Sequence, residues 1–271
     1  MWRLDGRDWG KFLIPYEQAV EELKVKLKSM RLEMKKRDEY SPIEFVTGRV
    51  KRVSSILEKA KRLDVPMDQI ETGIEDIAGI RIMCQFVEDI EQLAEYIRNR
   101  KDMKVVYEKD YIKNNKPSGY RSYHMILEYP VQTALGVKAI LAEVQIRTLA
   151  MNFWATIEHS LSYKFRSNLP EHIRDRLQSA AEAAFKLDEE MSQIREEIVE
   201  AQKLFEDQSS LVSQVLNDIQ QLYFYNRVRE AQQFQNRFSE LWGSEDDPWR
   251  LRELSEQIQS ALALAKKESG S

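Results

Sequence analysis

Apolar residues near the start of the chain recur with helical spacing. From about residue 8 to residue 36, apolar side chains separated by charged ones fall at intervals of three or four, namely Phe12, Tyr16, Val20, Leu23, Leu27 and Met30. This spacing places them on one face of a helix, and Pro15 is tolerated because it lies in the early turns. The pattern predicts one long amphipathic helix.

The middle of the chain mixes helical and strand-like patterns. Ser41 and Pro42 are typical of an N-cap followed by proline at the first helical position, so a short helix is expected there. A further helix is predicted over residues 50–63 and another over 89–100, both from apolar spacing. Runs rich in β-branched and aromatic residues predict three strands, at residues 80–86, 123–129 and 140–146.

The last part of the chain, after about residue 149, is helical in pattern. Apolar residues alternate by threes and fours, as in a coiled coil or helical hairpin, at Ala184, Leu187, Met191, Ile194, Ile198, Ala201 and Phe205. Polar stretches at residues 207–210 and 243–248 predict breaks between helices. We therefore expect a domain over residues 1–206, in which the mixed segment at about 40–165 carries any chemistry, and a helical C-terminal extension over 207–271.

Composition narrows the classes of function. The 271 residues are 42% apolar and 32% charged, and the net charge is −4, which argues for a globular protein and against a general nucleic-acid or anionic-membrane binder. Any site that binds an anion must therefore be a local cluster of basic residues. A single cysteine, Cys84, excludes an intrachain disulfide. Without a long apolar run or a signal-like N-terminus, the expected location is the cytoplasm, with no membrane partner.

One helical face in residues 50–63 carries groups suited to phosphate. Lys51, Ser55 and Lys59 follow at intervals of four, and Arg62 continues the line. Cationic donors and a hydroxyl on one face suit the phosphates of a nucleoside triphosphate. A solvated basic face is the alternative.

The predicted strands carry charged side chains on one face. Period two places Glu143, Gln145 and Arg147 together on residues 140–146 and just beyond. Asp76 precedes the strand that contains Arg81, so two carboxylates and arginines are available for Mg²⁺ and phosphates. A solvated sheet face for Glu143 and a capping role for Asp76 are the alternatives.

A loop at residues 113–119 leads into a segment with aromatic and cationic side chains. Tyr120 has a ring that can stack on a base, while Lys116 and His124 can meet phosphates. A packed core tyrosine and a buried histidine are the alternatives.

Four ordered motifs identify a family resemblance. GRVKRVSSILEKAKR, EDIAGIRI, SGYRSYH and AEVQIRTLAMNFWATIEHSLSYK resemble those of bacterial small alarmone synthetases, single-domain relatives of the RelA/SpoT proteins, and most nearly the RelQ type, over about residues 9–205. The resemblance implies an α+β fold with a mixed, nucleotidyltransferase-like sheet flanked by helices. It also implies transfer of pyrophosphate from ATP to the 3′-hydroxyl of GTP or GDP, giving pppGpp or ppGpp and AMP.

The resemblance also implies roles for individual residues. Arg49 and Arg81 would sandwich adenine, and the ATP phosphates would be held by Lys51, Ser55, Lys59 and Arg62. Asp76 and Glu143 would hold Mg²⁺, with Glu143 also the base for the 3′-hydroxyl. Tyr120 would stack on guanine, with further acceptor contacts from Lys116, His124, Gln145 and Asn152. At the centre of a homotetramer a regulatory pppGpp would meet Lys28, Arg31, Glu44 and Thr47, and single-stranded RNA is a second expected regulator.

The histidine content argues against a second activity of the family. The chain has three histidines and no His-Asp dipeptide, so alarmone hydrolysis is not expected. Two other functions stay open: the same chemistry on the 3′ end of tRNA, and a non-catalytic nucleotide or RNA sensor. The acidic net charge weighs against the first, and the presence of both Asp76 and Glu143 weighs against the second.

Overall fold

The computed structural model describes residues 8–114, 116–164, 170–242 and 248–269. Its elements are, in chain order, α1 (Trp9–Lys36), β1 (Phe45–Val50), α2 (Val53–Arg62), a 3₁₀ turn (Met67–Gln69), α3 (Ile70–Gly73), β2 (Ala78–Cys84), α4 (Glu88–Arg98), β3 (Lys104–Asp110), β4 (Tyr123–Thr133), β5 (Gly136–Thr148), α5 (Leu149–Lys164), α6 (Glu171–Phe224), α7 (Val228–Trp242) and α8 (Pro248–Ser269). The chain divides into two compact units, Met1–Gln193 and Ile194–Ser271. Within the described residues, no helix combines the length and apolarity needed to cross a membrane.

The predicted N-terminal helix is confirmed as α1. The Asp8 side chain caps it by accepting a hydrogen bond from the Lys11 backbone N–H at 3.2 Å. Its apolar face is buried at Tyr16, Leu23 and Leu27 and packs against β1 and β2. Burial of this face, more than helix propensity, stabilises the helix.

A mixed five-stranded sheet forms the centre of the first unit. Its strand order is β1-β2-β5-β4-β3, with β2 and β5 parallel and the other neighbours antiparallel. The three predicted strands are confirmed as β2, β4 and β5, and the helix predicted over 89–100 is confirmed as α4. The fold therefore agrees with the expected mixed sheet and flanking helices.

The short helix predicted from Ser41 and Pro42 is wrong. The Ile43 backbone N–H donates to the Ser41 hydroxyl at 3.3 Å in a local turn, and the Glu44 N–H donates to the Met83 carbonyl at 2.7 Å. The main chain thus enters the sheet as β1 because its amides bond to β2 across the strand pair. Neither edge strand, β1 nor β3, was predicted from the apolar pattern.

The helix predicted over residues 50–63 is confirmed with a later start. Val50 ends β1, the Lys51 N–H donates to the Ile77 carbonyl at 2.8 Å, and α2 begins at Val53. Ile56 and Ala60 are fully buried. The cationic face of α2 consequently points away from the core.

Strand register decides which side chains share a face of the sheet. Ile80 pairs with Val144 and Ile82 with Ile146, and all four are buried in the core that includes α1. The alternate positions pair Gly79 with Glu143, Arg81 with Gln145, and His124 with Gln145. The sheet therefore has one apolar face and one polar face, as period two requires.

The C-terminal helices differ from the prediction at one break. Residues 207–210 lie inside α6, where the Ser210 hydroxyl donates to the Asp207 carbonyl at 2.9 Å. The predicted break there is wrong because Asp, Gln and Ser weaken a helix only slightly when glycine and proline are absent. The helix ends instead at Phe224, next to Asn226 with φ 59°. Residues 243–247 of the other predicted break lie outside the described residues.

The second unit has a core of its own. Val215, Leu222, Leu254 and Ile258 are buried in one cluster formed by α6, α7 and α8. By contrast, most of the apolar stripe predicted along residues 184–205 is exposed on this single chain, including Leu187, Met191, Ile194, Ile198 and Phe205.

Candidate active site

A cationic cleft lies beside α2. Its volume is about 1040 Å³, at the upper end of ordinary small-molecule sites. The lining includes five of the six residues predicted for ATP, namely Arg49, Lys51, Ser55, Lys59 and Arg62. α5 contributes Thr156, His159 and Ser160, which sequence reasoning had not selected. His159 and Ser160 follow Thr156 by three and four residues, so the three side chains share one helical face within the last of the four motifs.

A smaller cavity of about 160 Å³ adjoins this lining, because Arg49 belongs to both. It is lined by both predicted metal-binding carboxylates together with arginines and an amide: Arg49, Asp76, Arg81, Glu143 and Gln145, with Thr47, Gly48, Gly79 and Ile80. Gly79 lies opposite Glu143 in the strand register, so no side chain from β2 fills the space in front of this carboxylate. The structure thus places both carboxylates at one cavity next to cations.

Asp76 pairs with two lysines of the predicted phosphate cradle. Its Oδ2 accepts from Lys51 Nζ at 2.6 Å, and its Oδ1 lies 2.9 Å from Lys59 Nζ. Although that ion pair is close, buried Oδ1 makes no hydrogen bond of good geometry. The lysines are therefore directed at a carboxylate in the site, and the solvated-face alternative fails for both.

Glu143 is ionised by its surroundings. Its Oε1 lies 3.0 Å from His124 Nδ1, and its Oε2 accepts from Gln145 Nε2 at 2.7 Å. Burial raises the pKa of Glu143, but the hydrogen bonds to His124 and Gln145 and the charges of His124 and Lys59 outweigh it and lower the pKa to about 2. Glu143 is thus a carboxylate at any physiological pH.

The arginines of the polar face repel one another. Burial lowers the pKa of Arg81, and the positive charges of Arg147 and Arg49 lower it further. Placing like charges together is unfavourable unless an anion separates them. The cluster is consequently suited to a polyanionic ligand.

The predicted acceptor residues largely converge near Glu143. The Tyr120 hydroxyl lies 2.9 Å from His124 Nε2. Lys116 Nζ lies 4.9 Å from the Tyr120 ring centroid and 4.5 Å from that of Tyr111. His124 is buried and contacts Tyr120 and Glu143 through its two ring nitrogens, so the buried-histidine alternative describes its packing while the residue also lies beside Glu143. Tyr120 is half-buried and packs in part against Trp154 and Ala181.

The loop before Tyr120 is held against α6. Gly119 has φ +86°, and a Cβ there would lie 2.5 Å from Ala181 Cβ, so only glycine allows this approach. Arg121 Nη2 donates to both carboxylate oxygens of Glu182 at 3.1 Å, and its guanidinium carbon lies 4.2 Å from the Phe185 ring centroid. These contacts fix the position from which Tyr120 reaches the site.

Some predicted residues lie elsewhere. Asn152 is half-buried on α5 and lines neither cavity. Of the four residues predicted for a regulatory alarmone, Arg31 lies 3.5 Å from Glu44, Thr47 lines the smaller cavity, and Lys28 is exposed on α1. Arg31 also donates to the Ile43 carbonyl at 2.9 Å, which ties α1 to the start of β1.

A divalent metal fits the pair of carboxylates. Among the described residues, no three His, Cys, Asp or Glu side chains converge as a complete metal site. Mg²⁺ commonly needs only one or two carboxylates because substrate phosphates and water supply its other ligands. The buried Asp76 Oδ1 without a directed hydrogen bond and the ionised Glu143 at the same cavity are suitable oxygen donors.

Comparison with known proteins gives consistent matches. A family model described as a region found in RelA/SpoT proteins matches residues 48–168. GTP pyrophosphokinase YjbM of Bacillus subtilis (strain 168) is 60% identical over 202 residues, covering 74% of this chain and 95% of the relative.

Solved structures of a Bacillus subtilis enzyme match as well. Small alarmone synthetase 1 bound to its product pppGpp has a TM-score of 0.68 and 62% identity over 70% of this chain and 97% of that one. The same enzyme bound to AMPCPP has a TM-score of 0.63 and 58% identity over 71% and 98%. Each match leaves about a quarter or more of this chain uncovered.

Proposed function

The chain belongs to the RelA/SpoT family as a small alarmone synthetase, and from this premise we propose how its site acts as a GTP pyrophosphokinase. The reaction transfers the β- and γ-phosphates of ATP to the 3′-hydroxyl of GTP or GDP, which gives pppGpp or ppGpp and AMP. One observation carries the proposal: Asp76 and Glu143 line a cavity that shares Arg49 with the cationic cleft.

On the donor side, the cleft would bind ATP. Arg49 and Arg81 present guanidinium planes that can stack on adenine. Lys51, Lys59 and Arg62, with the Ser55 hydroxyl, would bind the phosphates. Because Lys51 and Lys59 form ion pairs with Asp76, both lysines are held within the site before ATP binds. Support also comes from the related enzyme solved with AMPCPP.

Asp76 and Glu143 would hold Mg²⁺. The ion, when bound, neutralises charge on the phosphates of the donor. The protein's own part is to place two carboxylates at one cavity, in a site rich in lysine and arginine. Phosphoryl transfer depends mainly on such positioning and charge neutralisation, and no covalent nucleophile is required.

On the acceptor side, Tyr120 would stack on guanine near Lys116, His124 and Gln145, and Glu143 would accept a hydrogen bond from the 3′-hydroxyl. A carboxylate with a pKa of about 2 is a weak base. We infer that it orients the hydroxyl and takes its proton only as the bond to phosphorus forms, which a loose transition state permits. Asn152 is the least supported acceptor residue, since it lines neither cavity.

The proposal is tested by incubating the purified protein with labelled ATP, Mg²⁺ and either GTP, GDP or tRNA, and by separating the products. We expect pppGpp from GTP, ppGpp from GDP and stoichiometric AMP. Label on the 3′ end of tRNA would support the alternative acceptor, and binding of nucleotides without AMP release would support a sensor. Either result, in place of alarmone, would contradict the proposal.

Assembly and regulation are proposed on the resemblance of the motifs. We propose a cytoplasmic homotetramer that binds a second pppGpp at Lys28, Arg31, Glu44 and Thr47, with single-stranded RNA as an opposing ligand. The Arg31–Glu44 ion pair supports a shared location for two of these residues. Light scattering would give the assembly mass. Calorimetry with pppGpp on Arg31→Ala would show weaker binding at a site separate from the cleft.

A further inference from the structure

Five side chains form a closed ring of hydrogen bonds on the polar face of the sheet. Glu143 contacts His124 Nδ1 at 3.0 Å and accepts from Gln145 Nε2 at 2.7 Å. Arg147 Nη2 donates to Gln145 Oε1 at 2.7 Å and to the Tyr120 hydroxyl at 2.6 Å. The Tyr120 hydroxyl lies 2.9 Å from His124 Nε2, which closes the ring.

Each contact of this ring can join a donor to an acceptor. Arg147 Nη2 gives one proton to Gln145 and one to Tyr120, so the Tyr120 oxygen accepts from Arg147. Because Glu143 is a carboxylate, His124 donates to it from Nδ1. Every polar atom of the ring that faces a neighbour is thereby satisfied, which makes the arrangement rigid.

Arg147 makes three side-chain hydrogen bonds, more than any other member of the ring. It is buried, its Nε donates to the Ser122 hydroxyl at 3.1 Å, and its guanidinium carbon lies 5.1 Å from the Tyr120 ring centroid. A planar guanidinium group, whose N–H donors point in fixed directions, can donate to Ser122, Tyr120 and Gln145 at once. A lysine keeps the charge but lacks this geometry.

We propose that Arg147 is a positioning residue for the acceptor nucleotide, acting through the Tyr120 hydroxyl and Gln145. By fixing the plane of the Tyr120 ring relative to Glu143, it sets where a guanine base stacks and where the 3′-hydroxyl meets the carboxylate. Sequence periodicity had placed Arg147 beside Glu143 and Gln145 without a role. The proposal rests on the proposed function, in which the Tyr120 side binds GTP or GDP.

The test compares Arg147→Lys, Tyr120→Phe and the double variant. For each, calorimetry measures the Kd of GTP in the presence of α,β-methylene-ATP and Mg²⁺, and initial rates give kcat and KM for both nucleotides. Losing hydrogen bonds of a charged group in Arg147→Lys should raise the Kd and KM of GTP about tenfold or more. The KM of ATP should not change, because Arg147 does not line the donor cleft.

The double variant tests the route of the effect. Because part of the effect of Arg147 passes through the Tyr120 hydroxyl, Arg147→Lys should add less to Tyr120→Phe than it costs alone, so the two changes are non-additive. Fully additive effects would contradict the proposal. Tyr120→Phe also keeps the inference testable if Arg147→Lys fails to fold, since it breaks the same contact and leaves the buried arginine in place.

Arg98→Lys is the matched control. Arg98 also makes several side-chain hydrogen bonds, including one to the Tyr123 hydroxyl at 2.9 Å, but lies outside the ring. The Arg98→Lys substitution should lower thermal stability without changing the Kd of GTP. GTP binding by Arg147→Lys at the wild-type Kd would overturn the inference with the proposed function intact. A wild-type protein that binds GTP but makes no alarmone would overturn the function, and the Kd series would still decide the role of Arg147.

Discussion

The donor cleft and the acceptor side of the site satisfy their polar groups in different ways. On the donor side, Lys51 and Lys59 share the single carboxylate of Asp76, and the positive charges of Arg49 and Arg81, which both line the smaller cavity, repel each other. On the acceptor side, Tyr120, His124, Glu143, Gln145 and Arg147 satisfy one another in a ring. The donor side carries excess positive charge that a triphosphate can neutralise, while the acceptor side is organised without a ligand.

Two carboxylates, the partly buried Glu143 and the buried Asp188, show the same contrast in electrostatic terms. Glu143, beside His124, Gln145 and Lys59, has a pKa lowered to about 2. Asp188 on α6 accepts a hydrogen bond from the Thr148 hydroxyl at 2.6 Å, but burial and the nearby charge of Glu88 raise its pKa to about 6. Burial acts on both, so the neighbouring charges decide the sign. The site keeps its carboxylate ionised, whereas the packing contact tolerates a protonated one.

The largest effect is expected from Glu143→Gln. The change keeps the size of the side chain but removes the charge and the proton acceptor, so kcat should fall by about two orders of magnitude or more, the scale of losing a positioned base. Steady-state rates with saturating ATP and GTP measure it, and thermal denaturation verifies folding. Turnover near the wild-type value would remove Glu143 from the mechanism.

A smaller effect, confined to the donor, is expected from Lys59→Ala. A charge-assisted phosphate contact is worth about 1.5 to 3 kcal/mol, so the KM of ATP should rise about tenfold or more while the KM of GTP stays close to wild type. Lys61→Ala is the control, since Lys61 is an exposed lysine of the same helix that does not line the cleft. Equal losses for both nucleotides would contradict a donor-side role.

A change in the pH dependence of stability is expected from Asp188→Asn. The pKa of Asp188 is raised in the folded state from 3.8 to about 6. Between these values the folded state binds more protons than the unfolded state, so the contribution of Asp188 to the free energy of unfolding falls as pH rises. Asparagine cannot titrate and still accepts from Thr148, so its stability relative to wild type should increase between pH 4 and about 7. Urea titrations of both proteins across this range measure the difference, and a difference in stability that stays constant with pH would contradict the prediction.

The smallest effect on catalysis is expected from truncation after Phe205. The core of the second unit includes Val215, Leu254 and Ile258, so this truncation removes that cluster as a whole and none of the residues that line the two cavities. We expect measurable alarmone synthesis with a change in assembly mass or thermal stability. A folded truncated protein of unchanged assembly mass without activity would show that the extension takes part in catalysis or substrate closure. It would also contradict the predicted domain boundary near residue 206.

Elements with a regular local pattern could be predicted from the sequence. The helical face of α1, the strands β2, β4 and β5, and the shared face of Glu143 and Gln145 all follow from periods of 3.6 and 2, which depend only on neighbouring residues. Edge strands lack this signal. β1 and β3 have one neighbour each in the sheet, and their mixed polar sequences do not show where that neighbour lies.

Which side chains can share a face follows from the sequence, because local backbone geometry sets it. Their partners depend on the tertiary structure. Lys51 donates to Asp76, which is 25 residues away in the sequence, and Arg147 donates to Tyr120, which is 27 residues away. Such contacts depend on strand order and register, which arise from burial of the whole core. For this reason the cationic face of α2 was visible in the sequence, whereas the ring around Glu143 required the folded sheet.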